Sequence, residues 1–286
     1  MLLLVLLPVV AACGESVGEA AKSTPETTTL RVACLNVWAV PLASKDLDLR
    51  FRRLLPALRS LEPDLLCLQE VFLEATRKRI ADGLGPAWTC TEGTAGGLLI
   101  ASRHRIESSA FTAYPVHPDL PLAERLARKG FLEAVVATPA GPLRVVTTHL
   151  AAEWSQDGAR QQQQDVLLAA LAARTELPLL LAGDLNTAVV SASGPTPAWQ
   201  ALVALGFAHA EPPRRRPDGQ WAAATPTRVG WPRDRTRFGW SPDHVLLRGS
   251  AAVSSDLLSY SVGLDAPETA VSDHNLLLAT VRLAPR

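Results

Sequence analysis

The sequence predicts an α/β (α+β) domain of layered, mixed β-sheets. Three observations point there. Short apolar runs recur along the chain, too brief for typical helices and bounded by Gly, Pro, Asp or Asn. Residues 30–71 read as strand, helix, strand, about the length of a parallel βαβ unit. Residues 130–150 read as two β-rich runs around Pro139, Gly141 and Pro142, an antiparallel hairpin. Parallel and antiparallel pairing in one chain, with strands outnumbering helices, indicates mixed sheets packed in layers.

The elements follow in order. LRVACLNVWAV (30–40) is apolar and β-rich, a buried strand. Residues 48–64 carry apolar side chains at helical spacing; Pro56 inside them predicts a kink or interruption, and Pro63 ends the pattern. DLLCLQEV (64–71) is a second apolar strand that ends in a polar pair. A helical stretch covers 74–83, and GGLLIASRHRI (96–106) is a strand and a turn. After the hairpin, 161–174 form a helix opening on Gln161 to Gln164, read as a solvated start. LPLLLAGDLN (177–186) is a short apolar strand closed by Gly183, which places Asp184 and Asn186 two apart just past its end. Gly, Asp and Asn also form turns, so that segment alone leaves turn and site both open. Residues 196–207 form a helix capped near Thr196 with Pro197 early. Residues 211–242, rich in Pro, Arg and Trp, form a long loop, and 241–249 and 271–283 are the final strands.

The 286 residues carry zero formal net charge with 20% charged side chains, which excludes a disordered chain and gives no global bias toward nucleic acid. Residues 2–12 are apolar but shorter than the roughly 20 needed to span a bilayer. They fit the apolar core of a secretory signal. VAAC (10–13) resembles a bacterial lipobox, with Cys13 as the lipid-bearing residue, although no Lys or Arg precedes the apolar run. The expected organisation is a signal peptide (1–13), a flexible tether (14–29) and one catalytic domain (30–286), exported as a bacterial envelope lipoprotein or secreted protein and monomeric. Cys34, Cys67 and Cys90 remain, permitting at most one internal pair; Cys34 and Cys67 lie in core strands as small hydrophobes, and the three show no zinc spacing.

Polar residues recur where the apolar strands end: Asn36, Glu70, His149, Asp184 with Asn186, Asp243 with His244, and Asp273 with His274. As a set they suit hydrolysis of a phosphate ester. Glu70 is a hard oxygen ligand for Mg²⁺, which takes few carboxylates and keeps its waters. Asp184 can orient and deprotonate the attacking water. His274 can donate to a phosphoryl oxygen, with Asp243 as the carboxylate that fixes its tautomer. His149, Asn36 and Asn186 can hydrogen-bond phosphate oxygens or metal-bound water. His244 follows Asp243 and should face the other way as a structural residue; His104, His117 and His209 have no motif around them.

LNVW, LQEV, TTHL, GDLN, PDHVL and SDHNL, in that order, resemble the endonuclease/exonuclease/phosphatase superfamily of Mg²⁺-dependent phosphoesterases. The resemblance runs through 30–283. It implies a four-layered α/β sandwich, two packed mixed β-sheets flanked by helices. It implies metal binding at Glu70 and Asn36 with Asp273 close by, and Mg²⁺ as cofactor with Mn²⁺ as a substitute. It further implies water activation at Asp184, transition-state contacts from Asn186 and His149, and a His–Asp pair of His274 and Asp243.

The Lys129–Gly130 pair before the strand leading to TTHL resembles the neutral sphingomyelinase-like branch, in which the lysine lies near the active site. Arg160 and the glutamines after TTHL resemble members in which this helix approaches the site. Trp221, Trp231 and Trp240 stand among Arg228, Arg233, Arg235 and Arg237, a composition suited to headgroup phosphates at a membrane or to single-stranded nucleic acid. Lys129, Arg160 and Trp240 are thus expected to bind substrate. The reading is an exported, membrane-tethered phosphodiesterase acting on a lipid or small-molecule phosphodiester. The alternative is an extracellular endonuclease or exonuclease on DNA or RNA; a non-catalytic docking domain is opposed by the presence of Glu70, Asp184 and His274 together.

Overall fold

A computed structural model describes residues 25–286 apart from 153, 192, 210, 222–224, 229–240 and 267. The signal peptide, Cys13, most of the tether and Trp240 lie outside the described residues. β1 (Thr28–Asn36) begins two residues before the expected domain start. α1 (Leu47–Leu61) then leads to β2 (Leu65–Gln69). α1 runs through Pro56 without a break, buries Phe51, Leu54 and Leu58, and ends at a left-handed Glu62 before Pro63. α2 (Glu74–Leu84), β3 (Thr89–Cys90) and β4 (Leu99–Ser102) follow. β5 (Ile106–Ala113) and the six-residue α3 (Leu122–Ala127) precede the hairpin of β6 (Gly130–Thr138) and β7 (Gly141–His149). α4 (Asp157–Ala172) leads to β8 (Leu179–Asp184). The short strands β9 (Val190–Ser191) and β10 (Gly194–Pro195) pair with each other. In α5 (Pro197–Ala204), the Thr196 side chain accepts from the Trp199 N–H at 3.3 Å with Pro197 in the first turn, the expected cap. β11 (Ala208–His209), β12 (Asp243–Arg248), β13 (Val253–Gly263) and β14 (Leu276–Pro285) complete the chain.

The strands form two six-stranded sheets, ordered β13-β14-β1-β2-β4-β3 and β11-β12-β8-β7-β6-β5. β1–β2 and β7–β8 are parallel and their other neighbours antiparallel. The sheets pack face to face, and alternation along each strand explains how. Val32, Cys34, Leu65 and Cys67 of one sheet meet Val145, Leu180, Ala182 and Val245 of the other. The intervening residues face outward: Ala33, Leu35, Leu66 and Leu68 pack on α1 and α2, and Val146, Leu179, Leu181 and Leu246 on α4 and α5. This is the four-layered sandwich. Strands covered on both faces need apolar residues at every position, hence the unbroken runs in the sequence. Cys34 and Cys67 are register partners, both free and buried, and burial pushes the Cys67 thiol up to about 12.

One expectation holds only in part. α4 begins at Asp157, and its glutamines are a solvated start only in part: Gln161 is exposed, but Gln163 and Gln164 are buried, and Gln163 Oε1 accepts from the Ala151 N–H at 2.8 Å. α3, β5 and β13 are elements that periodicity does not announce. β5 and β13 are mostly exposed flanking strands whose pairing with β6 and β14 makes them strands. Among the described residues no helix is long and apolar enough to cross a membrane.

Candidate active site

Topology brings the polar strand ends to one edge of the sandwich. β7 and β8 run parallel, so His149 and Asp184 end side by side as register partners. β12 runs antiparallel to β8, so its first residue, Asp243, falls on the same rung as Asp184. In the other sheet, β1 ends at Asn36 beside Gln69. β14 is antiparallel to β1, so the segment entering it, with Asp273 and His274, arrives at the same edge.

The side chains converge there. Asn36 Nδ2 donates to Glu70 Oε1 at 3.0 Å and to Asp184 Oδ2 at 3.1 Å, joining the two sheets. Asn186 donates its backbone N–H to Asp184 Oδ1 at 3.1 Å and its Nδ2 to the Leu150 carbonyl at 3.0 Å. His274 Nδ1 lies 2.8 Å from Asp243 Oδ2, and its Nε2 is 3.8 Å from Asp184 Oδ2. His149 Nε2 is 3.6 Å from the same Asp184 oxygen. Asn36, Glu70, His149, Asp184, Asn186 and His274, with Trp38, Val40, Ala152, Arg228 and Asp273, line a cavity of about 340 Å³, and Asp243 lies behind His274. Glu70 and Asn186 hold left-handed backbone (φ 63° and 44°), which Asn tolerates better than Glu.

Protonation follows from the surroundings. Burial alone would raise the Asp184 carboxyl, but the charge of His274, the hydrogen bond from Asn36 and the charge of Lys129 outweigh it and hold it below its ordinary value. Burial opposes a charge on His274, yet Asp243, Asp273 and Asp184 lift it to about 10. Asp184 is thus a carboxylate and His274 an imidazolium at neutral pH, with its Nε2–H on the side of Asp184. His149 is driven by burial and by Lys129 to about 3, so it is neutral. Lys129 Nζ, which can only donate, sits 3.1 Å from His149 Nε2. The proton of His149 therefore resides on Nδ1, a buried atom with no hydrogen-bond partner.

Lys129 itself meets three acceptors: Glu124, His149 and the Leu150 carbonyl. That arrangement orients His149. Arg160 is buried and donates to the Ala151 carbonyl at 2.7 Å and to Asp157, bracing the segment that carries Ala152. Ser272 Oγ donates to the Asn36 carbonyl at 2.6 Å, tying the Asp273–His274 segment to β1. Arg50, fully buried on α1, donates to the carbonyls of Val37, Trp38 and Val271 and thereby clamps both loops. Arg228 pairs its backbone with His274. Motif reading passed over Arg50, Ser272 and the cavity-lining place of Arg228, because none of them ends an apolar strand. His244 faces away as expected: it bonds His209 at 2.9 Å and the Thr187 carbonyl at 2.8 Å.

Two groupings could hold a cation. Asp184, Asp243 and His274 place ligand atoms within 4.8 Å of one another. A histidine ligand must be neutral, and His274 is lifted toward its charged form, so a proton holds this group together. Glu70 and Asp273 differ. Glu70 Oε2 is buried without a partner, and burial together with Asp273 pushes the Glu70 carboxyl up to about 7. Two carboxyl groups that repel and an orphaned hard oxygen fit a divalent cation.

Residues 33–274 match the model of the Endonuclease/Exonuclease/phosphatase family. No relative among curated proteins matches the sequence. Solved structures share the fold. An endonuclease/exonuclease/phosphatase from Bacteroides vulgatus is 19% identical, with a TM-score of 0.68 over 89% of this chain and 98% of that one. Sphingomyelinase C from Streptomyces griseocarneus is 19% identical, with a TM-score of 0.63 over 88% and 99%. D. rerio TDP2, complexed with single strand DNA product, is 19% identical, with a TM-score of 0.65 over 89% and 99%.

Proposed function

Because the chain belongs to the endonuclease/exonuclease/phosphatase family of divalent-metal-dependent phosphoester hydrolases, we propose that it hydrolyses a phosphodiester, with a lipid or small-molecule substrate favoured. One observation carries this reading: a carboxylate and an imidazolium, Asp184 and His274, lie 3.8 Å apart in the wall of a cavity that also holds an unpaired donor and acceptors.

Asp184 accepts a hydrogen bond from a water and takes its proton as the water oxygen bonds to phosphorus. Asn36 and Asn186 hold the carboxylate in place from the two sheets. His274 donates Nε2–H to a phosphoryl oxygen, while Asp243 keeps the ring charged and aimed. His149 offers Nδ1–H to a second phosphoryl oxygen. A cation bound by Glu70 and Asp273, Mg²⁺ by the hardness of those oxygens, would polarise the phosphoryl oxygen and stabilise the leaving oxygen. The leaving oxygen departs as the P–O bond breaks and takes up a proton from solvent, Asp184 returns the proton it took to solvent, and a monoester and an alcohol result.

The test is Mg²⁺-dependent hydrolysis of a chromogenic phosphodiester, a sphingomyelin-type lipid, plasmid DNA and a phosphomonoester, with Asp184→Asn alongside. Turnover of lipid or chromogen, lost in the variant, supports the reading; turnover of DNA alone would make the protein a nuclease. Export with a lipid on Cys13 is part of the same proposal, supported by VAAC at 10–13 and the polar stretch after it. Cys13→Ser is expected to move the protein from the membrane fraction to the soluble one, and a variant still sedimenting with membranes would refute the anchor.

A further inference from the structure

Beside the catalytic cavity lies a second, larger depression of about 1610 Å³. Val40, Glu70, His149 and Ala152 line both, so the two are continuous. Phe72, Leu73, Phe111 and Leu126 dominate the rest. The aromatic walls are built in. Gly97 and Gly96 hold positive φ, and a Cβ on either would come within 2.6 Å of the Phe72 ring or 2.7 Å of the Phe111 ring. Only glycine lets both rings lie against that turn. Among the lining residues Leu126 of α3 is 71% exposed and Leu73 is also exposed; Leu122, one turn before Leu126, is as exposed as Leu126. Glu124, between those leucines, turns inward to Lys129. Exposed apolar side chains grouped at the mouth of an apolar groove mark a binding surface.

Resting on the phosphodiesterase reading above, we propose that this groove receives the apolar chain of an amphiphilic phosphodiester whose phosphate lies at Asp184 and His274. Continuity with the cavity lets one molecule fill both. Away from Glu70, the charged groups among the described lining residues are Glu124, Arg128 and Lys129, and Glu124 pairs with Lys129. A nucleic-acid backbone demands a surplus of several cations, and the described lining leaves one, Arg128.

The test compares methyl and hexyl 4-nitrophenyl phosphate below the concentration at which the hexyl ester aggregates. The hexyl ester is expected to show a kcat/KM higher by about tenfold or more, since each buried methylene adds to binding. Leu126→Gln and Phe72→Ala are expected to bring that ratio toward one, and Val203→Gln, exposed on α5, to leave it as it is. Equal efficiencies on both esters would overturn the groove and keep the phosphodiesterase. If neither ester is turned over with Mg²⁺ or Mn²⁺, the phosphodiesterase reading fails. Calorimetric binding of hexyl phosphate against methyl phosphate then judges the groove by itself, and equal affinities overturn it. A single-stranded oligonucleotide that binds and is lost in Leu126→Gln, with no preference for the hexyl chain, would assign the groove to nucleic acid. A dimer that dissociates in that variant would assign it to a second copy.

Discussion

Asp184 and His274 hold opposite charges because each is surrounded by the other's kind, and this settles what each can do. Asp184→Asn removes the acceptor but keeps the shape, so turnover is expected to fall by roughly 10²–10⁴-fold with the circular dichroism spectrum unchanged. Glu70 makes a different prediction. Its carboxyl titrates near 7 in the folded chain against an ordinary 4.5. Its contribution to stability is therefore complete below about 4.5 and is lost as pH rises through 7. Without added cation, the melting temperature of the wild type is expected to fall across that window, and Glu70→Gln to flatten the fall. Mg²⁺ should raise the wild-type melting temperature more at pH 8 than at pH 5.5, where it must displace a proton, and should do little in the variant. Equal shifts at both pH values would remove Glu70 from the cation site. At this scale the sequence was informative about identity. Of the polar residues singled out at strand ends, Asn36, Glu70, His149, Asp184, Asn186, Asp273 and His274 line the cavity, Asp243 stands behind His274, and His244 faces away. Lys129 was legible as a nearby lysine, but its place against His149 Nε2, which decides a tautomer, comes from a contact across two elements.

The apolar strands were legible because they are covered on both faces, and the flanking strands were not. β5 (Ile106–Ala113) holds Glu107, Ser108 and Ser109 in a mostly exposed strand, so nothing in its pattern competes with a loop until β6 pairs with it. Gly183 shows how tightly the legible strands are joined. A Cβ there would lie 2.3 Å from the Thr148 carbonyl oxygen, part of the parallel neighbour's backbone. Gly183→Ala must therefore push β8 from β7, one residue before Asp184. The expected cost is about 1–3 kcal/mol, read from a urea unfolding midpoint, together with a loss of turnover larger than that destabilisation explains. A stable, fully active Gly183→Ala would mean that the rung of His149, Asp184 and Asp243 tolerates movement.

The whole molecule is two sheets back to back between helical layers, and its described core runs from Leu30 to Leu283. A fragment of residues 25–286 is expected to melt at the temperature of the longer chain, and one beginning at residue 37 not to fold, because β1 lies between β14 and β2 in the middle of a sheet. Scanning calorimetry of both checks this; a melting temperature for 25–286 well below that of the full sequence would mean that the first residues support the domain. The sequence by itself determined the strand–helix order of the covered elements, the chemistry at the strand ends and the family resemblance, because burial on both faces and residue type are local properties. Only the tertiary structure decided which strand ends meet, which nitrogen of His149 holds its proton, that Arg50 clamps two loops, and that an apolar groove opens beside Glu70. Those depend on strand direction, register and contacts between residues far apart in the chain, and no local pattern encodes them.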